Sequence, residues 1–416
     1  MELTTQQNKV FEQIKVFLKS DASVFILRGY AGTGKTTMVK VIADYIKQNR
    51  QLVMMAPTGR AARVLNKKTG HDAVTIHKAI YGKAHVQPKK VKDVAESEFK
   101  FVFPINQSEN GGNIVAIVDE ASMVCSRKIE HELFMFGTDN QMDDLLTFVR
   151  PNFGGKVIFV GDPAQLPPVG ESVSNALRAE YFQEKGLKVI EAELTEVLRQ
   201  KNDSVILKNA MMIRDLLKKD KRNQLVFEEQ KDDVEMVPSE QFLDKYLKYR
   251  KESGRHDSVI ICFSNKSANR YNRDIRKALY GGDVPLREND ILLITQNNYR
   301  LGLMNGEFVP VLSVGARTQQ SAPVYAQIGG KKERIVITLN FIQVTVPDSN
   351  GNPKPCMLLE DLLTSDKATI SIDENRALYI NFCMRHPDLK QDTEAFAEAL
   401  LNDVYYNAIR ENMVMP

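Results

Sequence analysis

The sequence predicts an α/β fold whose first half contains a parallel sheet covered by helices. Short apolar runs alternate there with helical stretches, and the runs include SVFILRG, LVMMAP, NIVAIVDE and KVIFVGD. They are apolar on both faces, as is typical of strands that are buried between two helical layers. From residue 283 onward the pattern changes to short β segments with turn signals, which predicts a small antiparallel module.

Composition restricts the class of protein but not its function. The chain has 416 residues, of which 43% are hydrophobic and 26% charged, as in a globular protein with a substantial core. At about 150 residues per domain, this length predicts two compact bodies and a smaller module. The net charge is only +3, so nucleic-acid binding would require a local groove rather than overall charge.

The chain lacks the sequence features of an exported or membrane protein. Its N-terminal stretch has no basic region followed by an apolar run, and no stretch reaches 18 consecutive apolar residues. The four cysteines are spaced for neither a disulfide framework nor a zinc site. We expect a cytoplasmic protein with reduced thiols and no membrane partner.

Residues 29–36 read GYAGTGKT and match the pattern GxxxxGK[ST] between a strand and a helix. Glycines at these positions let backbone N–H groups surround phosphates. Lys35 would place its charge on the β- and γ-phosphates, and the Thr36 hydroxyl would bind Mg²⁺. The segment therefore predicts a site for a nucleoside triphosphate with Mg²⁺.

Two acidic residues follow the apolar run IVAIV. Asp119 would hold Mg²⁺ through water, and Glu120 would orient and deprotonate the attacking water. A lone Asp-Glu after a strand is often only a solvated terminus. Together with the phosphate loop, the pair predicts hydrolysis rather than nucleotide storage.

A third motif, GDPAQLPPVG, begins at Gly161 after the run VIFV. The amide of Gln165 lies three residues beyond Asp162, where it would sense whether the γ-phosphate is present. Three prolines stiffen this loop.

Six segments in order resemble the motifs of superfamily 1B helicases, RecD-like and closest to the phage Dda type. They are residues 29–37, APTGRAA from 56, TIH from 75, DEAS from 119, GDPAQLPP from 161 and LTEVLRQ from 194. The resemblance implies an ATP-dependent DNA helicase that translocates 5′ to 3′ on single-stranded DNA. Its implied partners are single-stranded DNA and a duplex fork, and its implied state is a monomeric motor.

The resemblance also implies the residues of an ATP site. The catalytic residues would be Lys35, Glu120, Gln165 and Arg199, and Mg²⁺ would bind Thr36 and Asp119. The nucleotide would bind Gln7, Gly29, Ala31, Gly32, Thr33, Gly34, Lys35, Thr36 and Thr37. Gln7 would read the adenine, although it could instead be a solvated residue behind a helix cap at Thr4 or Thr5. Arg199 would reach the γ-phosphate from the second body, or else form a surface ion pair with Glu196.

Nucleic-acid contacts follow from the same resemblance. The implied residues are Pro57, Thr58, Arg60, Thr75, His77, Asn265 and Lys266. Hydroxyls and backbone amides bind phosphates without a large positive charge, which fits the low net charge. His77 could instead be a packed core histidine. Phe101 or Phe103 could stack on a base at the fork, or the two could form a small core.

The domain organisation implied is two RecA-like P-loop NTPase domains with two additions. The first would span 1–193 with an inserted subdomain at about 82–112. Residues 194–282 would form the start of the second, where SVIICFSN opens another α/β unit. Residues 283–416 would form a β-rich, SH3-like module and a C-terminal helix.

Two motifs of the family have no counterpart in residues 281–416. Relatives carry a Thr-x-His-Lys-x-Gln-Gly segment and then a Tyr-Val-x-Leu-Thr-Arg segment after the β-rich module. We therefore expect an incomplete second RecA-like domain and a truncated chain. The alternative function for such a chain is a nucleotide-gated module that binds single-stranded DNA without unwinding a duplex.

Overall fold

The computed structural model describes most of the chain as two compact units, Met1–Met236 and Val237–Pro416. The residues described are 3–82, 85–89, 98–106, 113–130, 134–196, 204–219, 224–230, 233–253, 258–282, 285–295, 298, 301–303, 306–329, 331–363, 365, 370–390, 393–411 and 413–414. Within them, no helix is both long enough and apolar enough to cross a membrane.

The first unit alternates strands and helices along most of its length. Its helices are α1 (Thr5–Lys19), α2 (Lys35–Ile46), α3 (Gly59–Thr69), α4 (Ile76–Ile80), α5 (Gln141–Val149), α6 (Ala179–Glu184) and α7 (Val205–Lys218). Its strands are β1 (Val24–Gly29), β2 (Gln51–Ala56), β3 (Ala73–Thr75), β4 (His85–Lys89), β5 (Glu98–Phe103), β6 (Ile114–Val118), β7 (Phe134–Phe136), β8 (Lys156–Gly161) and β9 (Val189–Leu194).

Six strands form one parallel sheet in the order β3-β2-β6-β8-β1-β9. The predicted α/β class and parallel sheet are confirmed. Every residue of β6 and β8 is buried, as expected for strands covered on both faces. Because β6, β8 and β1 are neighbours and parallel, the loops that leave their carboxyl ends lie side by side.

Alternate residues of β1 enter two different cores. Val24 and Ile26 pack on the face covered by α4, α5 and α6, whereas Phe25 and Leu27 pack on the face covered by α1, α2 and α3. All four side chains are fully buried. This period-two alternation makes the sheet the rigid layer from which the site loops emerge.

A small separate sheet combines two strands of the predicted insertion at about 82–112 with β7, which lies outside that range. Strands β4 and β5 pair antiparallel, and β7 adds to β5 in parallel. The ring of Phe103 stacks on Phe136 with centroids 4.5 Å apart and packs against the core. This contact favours the small-core interpretation of Phe103, and the side chain of Phe101 lies outside the described residues.

The second unit combines helices with antiparallel sheets. Its helices are α8 (Ser239–Ser253), α9 (Asn265–Tyr280), α10 (Glu360–Leu363), α11 (Ile372–Arg385), α12 (Glu394–Asn402) and α13 (Val404–Glu411). Its strands are β10 (Ile291–Ile294), β11 (Phe308–Pro310), β12 (Ser313–Ile328), β13 (Lys331–Pro347), β14 (Pro353–Leu359) and β15 (Met413–Val414). They form two sheets, β11-β10-β15 and β12-β13-β14, with antiparallel pairing throughout.

The two compact units divide after Met236, and α7 belongs to the first unit, where Arg214 contacts Asp162 and Tyr30. The boundary of the RecA-like domains at residue 193 stays a prediction. The structure differs from the sequence prediction at two places. Residues 258–263 form no strand, and Val259, Ile261 and Phe263 are 70%, 91% and 106% exposed. None of the described strand ladders includes this segment, and a strand needs a neighbour to satisfy its backbone groups. The predicted C-terminal helix is two helices, interrupted at Asp403.

Candidate nucleotide and nucleic-acid site

The phosphate loop joins β1 to the first turn of α2. Gly32 and Gly34 have φ angles of 84° and 82°, in the left-handed region where a side chain would be strained. Glycines at these positions allow the backbone to turn around a phosphate and lead into the helix N-terminus. The predicted strand–loop–helix context is present.

Lys35 lies at the first position of α2 and turns back over this loop. Its Nζ donates to the carbonyl oxygens of Gly29 at 2.6 Å and Tyr30 at 3.0 Å. Burial lowers the pKa of Lys35, while the negative charges of Asp162, Glu120 and Asp119 act against that shift. The ammonium group is therefore held at the phosphate loop by backbone oxygens that a phosphate could replace.

Asp119 and Glu120 leave the end of β6 beside this loop. Burial and the neighbouring Glu120 raise the pKa of Asp119 to about 6, and Lys35 partly offsets them. Glu120 has a left-handed backbone with φ of 52°. Within the described part of the chain, its Oε2 atom is buried without a hydrogen-bond partner.

These two carboxylates suit a divalent cation that also binds phosphate oxygens. The described residues contain no cluster of three or more His, Cys, Asp or Glu that could hold a metal alone. Mg²⁺ commonly takes one or two carboxylates and completes its shell with phosphates and water. The half-buried Asp119 and the unpartnered oxygen of Glu120 therefore fit Mg²⁺ bound together with a nucleotide.

The loop after β8 completes this edge of the sheet. Gln165 is exposed, and its Oε1 accepts a hydrogen bond from the buried Ser122 hydroxyl at 3.3 Å. A Cβ atom on Gly161 would lie 3.2 Å from the Ser122 nitrogen and 3.0 Å from Leu177. Glycine therefore lets the loops after β6 and β8 approach closely enough for Gln165 to meet Ser122.

A second contact joins the same two loops. The carboxylate of Glu171 accepts hydrogen bonds from the Ser126 backbone nitrogen at 2.8 Å and from its hydroxyl at 2.6 Å. Burial alone would raise the pKa of Glu171, but these hydrogen bonds lower it below its usual value. The carboxylate form of Glu171 thus holds the two loops together.

Gln7 is buried and contacts the phosphate loop directly. Its Nε2 donates to the Thr33 carbonyl at 3.3 Å, and its Oε1 accepts from the Thr4 nitrogen at 3.1 Å in a capping box. The neighbouring Gln6 is half-buried and forms hydrogen bonds with Thr195 after β9. Thr4 caps the helix, as one of the two interpretations predicted, but Gln7 is buried rather than solvated. Recognition of adenine by Gln7 stays a prediction.

Two of the predicted DNA-contact threonines cap adjacent helices. Thr58 accepts from the Ala61 nitrogen at the start of α3, and Thr75 accepts from the Lys78 nitrogen at the start of α4. The register of β2 and β3 pairs Ala56 with Thr75. Pro57 is half-buried and Arg60 is exposed on the same segment, so the structure brings these predicted residues to one edge of the sheet.

His77 is half-buried against aromatic rings. Its centroid lies 5.2 Å from that of Phe136 and 5.4 Å from that of Tyr81. Its Nδ1 lies 3.2 Å from the Gln141 amide nitrogen. His77 therefore packs against aromatic rings but is half-buried rather than a core residue, and its contact with nucleic acid stays a prediction.

The remaining predicted residues lie elsewhere. Asn265 and Lys266 belong to the first turn of α9 in the second unit, where Lys266 is exposed, and the Asn265 side chain lies outside the described residues. Arg199 lies outside the described residues.

The sequence interpretation missed one cation at the candidate nucleotide site. Arg214 of α7 lies 3.5 Å from the Asp162 carboxylate and above the Tyr30 ring. Arg214 lies 179 positions beyond Lys35 in the chain, within an ordinary amphipathic helix. No local pattern marks it, because only the packing of α7 brings it to the loop.

Comparison with known proteins identifies relatives among helicases. A family model described as an AAA domain matches residues 2–238, more than half of the chain. The ATP-dependent RecD2 DNA helicase of Deinococcus radiodurans is 32% identical over 169 residues, which cover 40% of this chain. The ATP-dependent DNA helicase dda of Enterobacteria phage T4 is 25% identical over 316 residues, which cover 74% of this chain.

The matches span 18% of the RecD2 helicase and 64% of the Dda helicase, less than two thirds of either relative. Among solved structures, a Pif1 helicase described at forked double-stranded DNA has 19% identity and a TM-score of 0.43. That similarity covers 85% of this chain and 76% of the Pif1 chain.

Proposed function

The chain belongs to the AAA domain family and to the superfamily 1B helicases, and on that premise we propose that it couples ATP hydrolysis to 5′-to-3′ movement on single-stranded DNA and to strand separation. The observation that carries the proposal is the meeting of three loops at adjacent strand ends. They bring Lys35 under the charge influence of Asp162, Glu120 and Asp119. Such a juxtaposition of a lysine and carboxylates at a phosphate loop serves phosphoryl transfer to water.

In this proposal, each residue acts on a different part of the reacting group. Lys35 leaves its backbone acceptors and binds the β- and γ-phosphate oxygens. Mg²⁺ held by Thr36 and Asp119 would supply positive charge to the same oxygens. Glu120 directs its unpartnered Oε2 at the attacking water and accepts its proton. Gln165, bonded to Ser122, reports the state of the γ-phosphate to the loop after β6.

Strand binding is proposed for the carboxyl edge of β2 and β3. There the starts of α3 and α4 present backbone N–H groups beside Thr58 and Thr75, and Arg60 adds a positive charge. Such groups hold phosphates with no sequence preference. Strands β2 and β6 are neighbours, so the loop proposed to bind DNA and the loop that carries Asp119 leave the same edge of one rigid sheet.

The test is the rate of ATP hydrolysis with and without single-stranded DNA, followed by unwinding of duplexes with a 5′ or a 3′ tail. Lys35→Ala is the blank for hydrolysis. DNA-stimulated turnover and unwinding of the 5′-tailed duplex alone would support the proposal. Unwinding of only the 3′-tailed duplex would overturn the direction. ATP-dependent strand binding without any unwinding would favour the nucleotide-gated binding module instead.

A further inference from the structure

Arg214 makes two contacts that join separate parts of the nucleotide site. Its Nη2 atom lies 3.5 Å from Asp162 Oδ2 in the loop after β8. Its guanidinium carbon lies 4.4 Å from the centre of the Tyr30 ring in the phosphate loop. The Arg214 and Asp162 side chains are only 12% and 3% exposed. An ion pair with so little exposure is screened far less than a surface pair.

Asp162 interacts with two cations. Besides its pair with Arg214, its negative charge acts on Lys35 and opposes the lowering of the Lys35 pKa by burial. Its Oδ1 atom accepts a 2.9 Å hydrogen bond from the Ala164 backbone nitrogen, and this bond shapes the loop that carries Gln165. A buried carboxylate that loses one cation draws more strongly on the other. Loss of Arg214 would therefore pull Lys35 toward Asp162 and away from a phosphate.

We propose that Arg214 is a positioning residue for ATP hydrolysis, which balances the Asp162 charge and holds Tyr30 so that Lys35 stays available to the phosphates. The inference rests on the proposed ATPase function. It assigns to α7 a part in the active site that the motif residues do not include. The planar guanidinium is suited to the task, because it can stack on a ring and pair with a carboxylate at once.

The first test compares steady-state ATP hydrolysis of Arg214→Ala, Arg214→Lys and the wild type in the presence of single-stranded DNA. We expect kcat to fall about tenfold in Arg214→Ala and less in Arg214→Lys, which keeps the charge but not the planar stack. KM for ATP should stay within about threefold of the wild type. Lys208→Ala, which removes an exposed cation from the same helix, should match the wild type. A raised KM with unchanged kcat would overturn the proposal.

The second test places the same substitution in an Asp162→Asn background. If Arg214 acts by balancing Asp162, Arg214→Ala should lower kcat less than about threefold once the carboxylate is gone. An equal, independent loss in both backgrounds would contradict the charge-balancing role. The thermal midpoint of each variant shows whether a loss of activity is a loss of folding.

A third measurement needs no turnover and so separates this inference from the proposed function. The chain has no tryptophan, so Tyr30→Trp creates a single tryptophan under Arg214, whose emission can be excited selectively at wavelengths beyond the tyrosine absorption. Adding Arg214→Ala should shift the emission to the red and increase quenching by acrylamide, whereas adding Lys208→Ala should change neither. If Arg214→Ala leaves emission and quenching unchanged, the contact is absent and the proposal fails. An inactive wild type with the expected shift would count against the ATPase function alone.

Discussion

The hydroxyl of Tyr81 donates a 2.7 Å hydrogen bond to the carboxylate of Asp144, which is fully buried at the start of α5. The same carboxylate accepts bonds from the Thr138 nitrogen and hydroxyl. Burial and this charged acceptor raise the pKa of Tyr81 far above its ordinary value. The network fastens α4, which carries His77, to α5 and to the small inserted sheet.

Replacing Tyr81 by phenylalanine should destabilise the first unit by about 1–3 kcal/mol, because a buried carboxylate loses a donor. The measurement is urea unfolding at neutral pH. Tyr45→Phe is the matched control, since the described contacts of Tyr45 are made by its ring with Phe11 and Lys15. Equal stability of the two variants would show that the Tyr81 hydroxyl contributes nothing.

Glu120→Gln should slow ATP hydrolysis by at least about a hundredfold while nucleotide binding persists, because the amide cannot accept the proton of the attacking water. Single-turnover hydrolysis and binding of a fluorescent ATP analogue measure the two effects separately. Glu184→Gln, an exposed change at the end of α6, is the control. Parallel loss of binding and hydrolysis would assign Glu120 a structural role.

Gln7→Ala should weaken ATP binding more than GTP binding if the amide reads adenine. The structure adds a second expectation, because the Gln7 side chain also bonds to the Thr33 carbonyl and the Thr4 nitrogen. Loss of these hydrogen bonds alone would weaken the binding of ATP and GTP equally, because it disturbs the phosphate loop. Competition binding with ATP and GTP distinguishes the two effects, and Gln6→Ala serves as the neighbouring amide control.

Arg385→Met should destabilise the second unit by about 2 kcal/mol at neutral pH, since Asp403 loses two charge-assisted hydrogen bonds, of 2.5 and 2.8 Å. Urea unfolding followed by a probe in the second unit measures the loss. Arg376→Met on the same helix removes an exposed pair with Asp373 and should change stability by less than about 0.5 kcal/mol.

The same pair predicts a pH dependence. Burial alone would raise the pKa of Asp403, but hydrogen bonds from Arg385 and the Tyr406 nitrogen lower it below its ordinary value. A carboxyl whose pKa is lower in the folded state contributes stability above its unfolded pKa and loses that contribution as the pH falls. The stability difference between the wild type and Arg385→Met should therefore narrow below about pH 4. A difference that stays constant to pH 2 would contradict this assignment.

Local sequence was sufficient to predict the parallel sheet and to propose most of the candidate nucleotide site. The phosphate loop needs glycines, a lysine and a threonine at set spacings, so Gly34, Lys35 and Thr36 could be recognised without any contact information. Asp119 follows a fully buried strand, and burial of both faces is visible as an unbroken apolar run. Helix-start residues such as Thr58 and Thr75 could be found in the same way.

Other features depended on partners that are distant in the chain. Residues 258–263 have the composition of a buried strand, but a strand forms only where a neighbour offers a ladder. The predicted C-terminal helix is interrupted at Asp403. The Asp403 carboxylate accepts hydrogen bonds from the Tyr405 and Tyr406 nitrogens, and these bonds start a new helix instead. Helix propensity could not reveal that competition.

The sequence by itself therefore determined the chemistry that is encoded by neighbours along the chain: the phosphate loop, the two acids after β6 and the period of the sheet. Tertiary structure alone decided which charged and polar groups that are distant in the chain interact with each other. Arg214 reaches Asp162 and Tyr30 only because α7 packs on the first unit, and Asp144 meets Tyr81 only because α4 and α5 lie together. Charge interactions depend on distance and burial, which sequence separation does not specify.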